Sequence, residues 1–267
     1  MFPVNIFHAL RRSNRQGKQR PGLARAAVSP AGQTIYAVGD IHGRLDLLDA
    51  LIAQLQVDRE SIRQFPPLII FLGDLIDRGP QSAQVLDRLI GLQDQASTRF
   101  IQGNHEEVLL RLLDGDPEAA RQFARFGGRA TALSYGIAPL EYDACTFDDL
   151  PALMNRYVPA SHRIFLGQME EMIIIGDYAF VHAGIDPARA LAEQLLPRTR
   201  WIRAQFTSHP GPFEKMIVHG HSISVDAELL DHRIGLDTGA YRSGLLSAIG
   251  LSGHDRWLVQ VRSAQQL

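Results

Sequence analysis

With 267 residues, 45% of them apolar and 21% charged, the chain is long enough for one well-buried domain and has the balance of a soluble globular protein. No apolar run approaches the roughly 20 residues that cross a bilayer, and the lone Cys145 excludes an intramolecular disulfide, in keeping with a reducing compartment. The formal charge of −2 is uneven: Arg11, Arg12, Arg15, Lys18, Arg20 and Arg25 precede the first acid, so the rest of the chain carries about −8.

In chain order, residues 1–32 read as a basic, mobile arm, because Gly17, Pro21 and Gly22 interrupt a stretch of low apolar content. Phe2, Ile6 and Leu10 recur every four residues, which leaves open a short helix against an anionic membrane or an acidic partner. The basic residues follow the apolar ones, the reverse of a secretory signal, so the cytoplasm is the expected location. Nucleic acid is a weak partner candidate, since only the arm is basic and the body is acidic. Residues 33–267 read as one domain.

That domain opens with three strand-loop-helix units. The β-rich run 34–38 leads into Gly39-Asp40-Ile41-His42-Gly43 and then into leucines at helical spacing. The run 68–72 leads into Gly73-Asp74-Leu75-Ile76-Asp77-Arg78-Gly79 and a helix opened by Pro80. The run 99–101 leads into Gly103-Asn104-His105-Glu106 and a helix over 106–113. Alternation of this kind predicts parallel strands with right-handed crossovers, which places all three loops at the carboxyl edge of one sheet.

Residues 116–168 predict a helical insertion beside the sheet, of the kind that shapes substrate access. Phe123, Phe126, Phe147 and Phe165 are expected to fill its core, with one of them free to line a substrate groove. A hairpin over 172–181 then ends at His182-Ala183-Gly184, and the run 216–218 leads to His219-Gly220-His221-Ser222. Further strands are expected at 234–236, 245–249 and 257–261, so the second half reads as a mostly β layer carrying two more His-bearing loops. His219 is read as the end of a strand. Asp237-Thr238-Gly239-Ala240 is read as a supporting turn, with Tyr241 and Arg242 as lesser options for substrate contact.

Five loops thus supply Asp40 and His42, Asp74, Asn104, His182 and His221. Carboxylate, imidazole and amide oxygen are ligands for divalent metals, and six of them exceed one tetrahedral site. They suit two ions sharing a bridging carboxylate, with Asp74 the natural bridge. Two ions about 3.5 to 4 Å apart acidify a bridging water and support in-line displacement at phosphorus. Any one loop could arise by chance, but strand, glycine and ligand coincide five times.

These loops resemble those of the metal-dependent phosphoesterases, more narrowly the PPP group of phosphoprotein phosphatases, from Ile35 to about Gly244. Among bacterial relatives the chain is most similar to the lambda-type phosphatase and to symmetrical diadenosine tetraphosphate hydrolases. The resemblance implies an α/β four-layer sandwich, two mixed sheets flanked by helices. It implies a first metal on Asp40, His42 and Asp74 and a second on Asp74, Asn104, His182 and His221. Manganese is the expected ion, with iron, zinc and nickel also suited to such ligands. His105 would be the general acid, oriented by Asp77, and Arg78 would grip phosphoryl oxygens. Trp201-Ile202-Arg203 resembles a segment whose arginine, here Arg203, is a second phosphate clamp. Glu106 is expected to open its helix and Glu107 to lie at the surface.

The leading expectation is a protein phosphatase acting on phosphoserine or phosphothreonine, with phosphotyrosine as a further option. The alternative is a dinucleoside polyphosphate hydrolase, in which an alanine typically stands where this chain has Asp77. A metal-binding scaffold without catalysis is the more distant reading, opposed by the presence of ligands, acid and clamp together.

Overall fold

The computed structural model describes residues 4–6, 27–62 and 66–263, and the side chains from 27 to 58 and from 66 onward. In chain order the strands are β1 (Val4–Ile6), β2 (Thr34–Val38), β3 (Leu68–Phe71), β4 (Thr98–Phe100), β5 (Met172–Ile175), β6 (Tyr178–Val181), β7 (Met216–His219), β8 (Glu228–Leu229), β9 (Arg233–Gly235), β10 (Leu245–Ser252) and β11 (Asp255–Ser263). The helices that matter for the site are α1 (Leu45–Ile62), α2 (Ser82–Gln93) and α3 (Asn104–Leu113). The segment 116–168 holds α4 (Pro117–Arg125), α5 (Gly128–Ser134), α6 (Pro139–Ala144), α7 (Leu150–Tyr157) and α8 (Ala160–Gly167).

Two mixed sheets result, ordered β1-β11-β10-β2-β3-β4 and β5-β6-β7-β9-β8. Strands β2, β3 and β4 are parallel to one another, as are β6, β7 and β9. The period-two alternation of a strand explains how these sheets stack. Ile35 and Ala37 of β2 and Leu68 and Ile70 of β3 pack with Tyr178, Phe180, Met216, Val218 and Ile234 of the second sheet. The alternate residues, Tyr36, Val38, Ile69 and Phe71, pack instead with the leucines of α1, α2 and α3. On the far side of the second sheet, Ala179, Val181 and Ile217 meet Ile202 and Phe206. Strands buried on both faces read as continuous apolar runs, which is what the chain shows at 68–72; the equally apolar 172–175 is an edge strand whose Ile174 is exposed.

Two sequence expectations change. Strands β10 and β11 do not join the second sheet; β10 pairs antiparallel with β2, so the C-terminal hairpin closes the first sheet. Antiparallel and parallel partners cannot be told apart from a strand's own residues, because both need the same alternation. Within the expected arm, Val4–Ile6 is a strand paired antiparallel with β11 and not a helical turn. Residues 27–32 are tied to the sheets, with Val28 N–H donating to Asp177 and Ser29 N–H to the Gly253 carbonyl. The rest of the arm, 1–3 and 7–26, lies outside the described residues. Among the described residues no helix is long and apolar enough to cross a membrane.

The two sheets approach closely at the edge that carries the loops. A Cβ on Gly39, at the end of β2, would sit 2.4 Å from the carbonyl oxygen of Leu236, just past β9. Glycine is required there so that the two backbones can touch.

Candidate metal centre

All five loops gather at this edge, and their side chains are buried. Five non-glycine residues have positive φ among the described residues: His42, Asp74, Asp77, Arg78 and His221. Every one belongs to these loops. Left-handed backbone costs a non-glycine residue about 1 kcal/mol or more, so the strain of the fold is concentrated where the ligand-type side chains stand.

Glu106 holds the second and third loops together. Its Oε2 accepts from the N–H groups of Asp74 (2.8 Å) and Gly103 (2.9 Å), and its Oε1 from Leu75 (2.8 Å) and, longer, Ile76 (3.4 Å). Burial, then the charge of Asp74, pushes its carboxyl up to about 6. The first loop hangs from the second in turn, because the Asp74 carbonyl accepts from Ile41 and His42 N–H groups. The sequence suggested only that Glu106 opens its helix; its reach to the neighbouring loop is a tertiary contact with no local signature.

Asp74 stands at the centre with its two oxygens facing different partners. Oδ2 lies 3.6 Å from His42 Nε2 and 3.7 Å from His105 Nε2, while Oδ1 lies 3.3 Å from His182 Nε2. His182 Nε2 is also 3.1 Å from Asn104 Oδ1 and 3.2 Å from His221 Nδ1. Two groups of potential ligands follow: His42, Asp74 and His105 on one side, Asp74, His182 and His221 on the other.

The donor chemistry fits divalent cations. His42 Nδ1 is 2.7 Å from the Ile76 carbonyl and His182 Nδ1 is 2.8 Å from the Leu72 carbonyl, which fixes each ring and turns Nε2 toward the centre of the cluster. Burial, and secondly the neighbouring His105, holds His42 well below the ordinary imidazole value; burial and His182 take His221 down to about 2. Both are therefore neutral, as ligation requires. Asp40 is pushed well up by burial and by the charges of Asp237 and Asp74. Buried His221 Nε2 and Asp237 Oδ2 have no hydrogen-bond partner. A buried cluster of carboxylates with incomplete pairing is the environment a cation would relieve.

The predicted residues are placed as follows. Asp40 accepts from the His221 N–H, with Oδ2 at 3.0 Å, and Gly220 leaves room for it. His105, expected as an acid only, also stands within the first ligand group. Its Nδ1 is 2.7 Å from Asp77 Oδ2, and Asp77 Oδ1 accepts from Thr131 Oγ1 of α5. Burial opposes protonation of His105, but Asp74 and the bond to Asp77 outweigh it and raise its pKa. Arg78 Nη1 and Nη2 lie 2.9 and 3.1 Å from Nε2 of His42 and His105, and its guanidinium stands 4.9 Å from the Tyr241 ring centroid. Tyr241 also meets the His42 ring edge-on at 5.4 Å, which brings it to the centre.

Arg203 is exposed, makes no side-chain hydrogen bond within the described residues, and its charge acts on His221. Its neighbour Arg200 is committed to Glu107 and Glu171. Glu107 is thereby not the free surface residue expected, since its Oε2 accepts from both Arg200 and the Trp201 indole N–H. His219 does end β7; it is buried, 3.0 Å from the Gly220 carbonyl, and burial takes it down to about 4.

Glu106→Gln should leave two of the loop N–H groups facing an amide N–H₂ and weaken affinity for divalent ions about 10- to 100-fold. Calorimetric titration with manganese reads this, and an unchanged affinity would remove Glu106 as the organiser.

A family model of calcineurin-like phosphoesterases matches residues 33–234. The chain is 24% identical over 245 residues to the asymmetrical bis(5'-nucleosyl)-tetraphosphatase PrpE of Bacillus velezensis, covering 82% of this chain and 89% of that protein. It is 32% identical over 163 residues to the symmetrical bis(5'-nucleosyl)-tetraphosphatase of Acidovorax sp., covering 60% of this chain and about half, 47%, of that longer protein. A crystal structure of a provisionally named diadenosine tetraphosphatase superposes with a TM-score of 0.59 at 21% identity, covering 88% of this chain and 98% of that one, a likeness of fold. The chain belongs to the calcineurin-like phosphoesterase family.

Proposed function

We propose that this chain is a divalent-metal phosphohydrolase that cleaves dinucleoside polyphosphates. The observation that carries the chemistry is Asp74, whose two oxygens each face a separate set of metal-type ligands beside an imidazole held by a carboxylate. The substrate class is supported by relatives named as bis(5'-nucleosyl)-tetraphosphatases, one of them matched over 82% of the chain. In this reading Asp40, His42 and Asp74 would hold one ion, and Asp74, Asn104, His182 and His221 the second. Two divalent ions bound there supply Lewis acidity toward the phosphoryl oxygens and a water that is nucleophilic near neutral pH.

The chain's own groups do the rest. Arg78 and Arg203 bind non-bridging phosphoryl oxygens and favour the charge that develops on them. His105, kept in its acid form by Asp77, delivers a proton to the oxygen that leaves as the phosphorus–oxygen bond breaks.

A second reading, removal of phosphate from phosphoserine or phosphothreonine, is favoured by the Asp77–His105 bond itself. An alkoxide is a far stronger base than a nucleotide's terminal phosphate, so a dedicated and well-oriented acid matters more for the protein monoester.

On manganese-loaded enzyme, diadenosine tetraphosphate should be cleaved with a kcat/KM at least about tenfold above that for phosphoserine and phosphothreonine peptides, a gap of about 1.4 kcal/mol. The reverse order selects the second reading, and full activity after exhaustive chelation overturns both. Asp77→Asn removes a group that raises the His105 pKa, so the protonated acid is lost at lower pH. The alkaline limb of the pH–rate profile should therefore move toward lower pH; an unmoved limb would contradict His105 as the acid.

A further inference from the structure

Beside His105 the rim of the site is aromatic. The Phe126 ring lies 5.7 Å from the His105 ring, and the Trp201 ring 6.0 Å from Phe126, inclined at 48°. Both residues are only half-buried, unlike Phe123 and Phe165 of the same insertion, which are core. They come from different parts of the chain. Phe126 closes α4, just before Gly127, whose left-handed turn brings its carbonyl to the Arg78 N–H. Trp201 follows the short helical turn that ends at Arg200.

The Trp201 ring is held by a polar bond. The Trp201 indole N–H donates to Glu107 Oε2 at 2.9 Å, and the same oxygen accepts from Arg200 at 2.8 Å. Arg200 is anchored a second time on Glu171. Glu107 belongs to α3, the helix that carries Asn104 and His105, so the indole is registered against the acid by one rigid element. Two residues beyond Trp201 stands Arg203, exposed and with no side-chain partner within the described residues. A partly exposed planar ring with a cation two residues away matches what a nucleotide presents: a base to stack and a phosphate chain to neutralise.

We propose that Phe126 and Trp201 form the stacking seat for the base of the departing nucleotide, with Arg203 taking its phosphate chain. The position follows from His105: whatever receives the proton leaves on that side, and the aromatic rim begins there. The proposal rests on the dinucleoside polyphosphate reading. A ring fixed by its own N–H beside a part-buried ion pair loses little freedom on binding, which favours stacking over adaptive packing.

The test compares ligands that share the tetraphosphate and differ in the base. For Phe126→Leu and Trp201→Leu, KM for diadenosine tetraphosphate should rise about tenfold. The inhibition constant of inorganic tetraphosphate against p-nitrophenyl phosphate cleavage should stay within about twofold. Trp201→Phe, which keeps a ring and loses the bond to Glu107, should restore most of the affinity for the dinucleotide. An equal loss for both ligands, or an unaltered KM for the dinucleotide in both leucine variants, overturns the stacking seat. A wild-type enzyme that cleaves p-nitrophenyl phosphate and leaves diadenosine tetraphosphate intact overturns the nucleotide reading itself, an outcome visible before any variant is made.

Discussion

One buried carboxylate, Glu106, sets the geometry on which the other loops depend. It accepts N–H groups from both the second and third loops, and so fixes the main chain of Asp74 in a left-handed conformation that a free loop would abandon. Hydrogen bonds to a charged acceptor are worth roughly 1.5 to 3 kcal/mol each, enough to offset the local strain. From Asp74 the order spreads outward: its carbonyl receives Ile41 and His42 N–H groups, and its Oδ1 receives the His105 N–H at 3.2 Å. The position of the first loop is thus a consequence of the second, and the second a consequence of Glu106.

The two sheets contribute unlike chemistry to one edge. The first supplies two carboxylates and an amide, Asp40, Asp74 and Asn104, together with His42; the second supplies the imidazoles of His182 and His221. Their meeting depends on Gly39, where the backbones touch. Burial then does two things at once. It keeps His42 and His221 neutral, and it crowds Asp40, Asp74 and Asp237 until their charge calls for a cation. The insertion is joined to this edge through Thr131 on Asp77 and Gly127 on Arg78, so it also steadies the loop that carries those two residues.

Much of this was legible in the sequence because the motifs are local. Strand, glycine and ligand recur within a few residues, and their order along the chain dictates a common edge. The unbroken apolar run Ile35-Tyr36-Ala37-Val38 is what a strand buried on both faces requires. What stayed hidden was long-range. Nothing near Glu106 or Glu107 signals that one will span two loops and the other will grip Trp201 and Arg200. Tyr241 was a minor option because its approach to His42 and Arg78 depends on the return of β10 to the first sheet, a topology that strand residues alone do not encode. The weight given to Asp77 in choosing a substrate was a matter of one residue; its structure supports an acid pair, whereas the relatives' names point to nucleotides.

The most direct test of the bridging role of Asp74 is metal stoichiometry. Elemental analysis of purified enzyme after manganese loading and gel filtration should give two ions per chain, and Asp74→Asn should lose both together, since in the proposed centre each ion would share that carboxylate. One ion per chain in the wild type, or two retained in Asp74→Asn, would contradict a centre built around this residue.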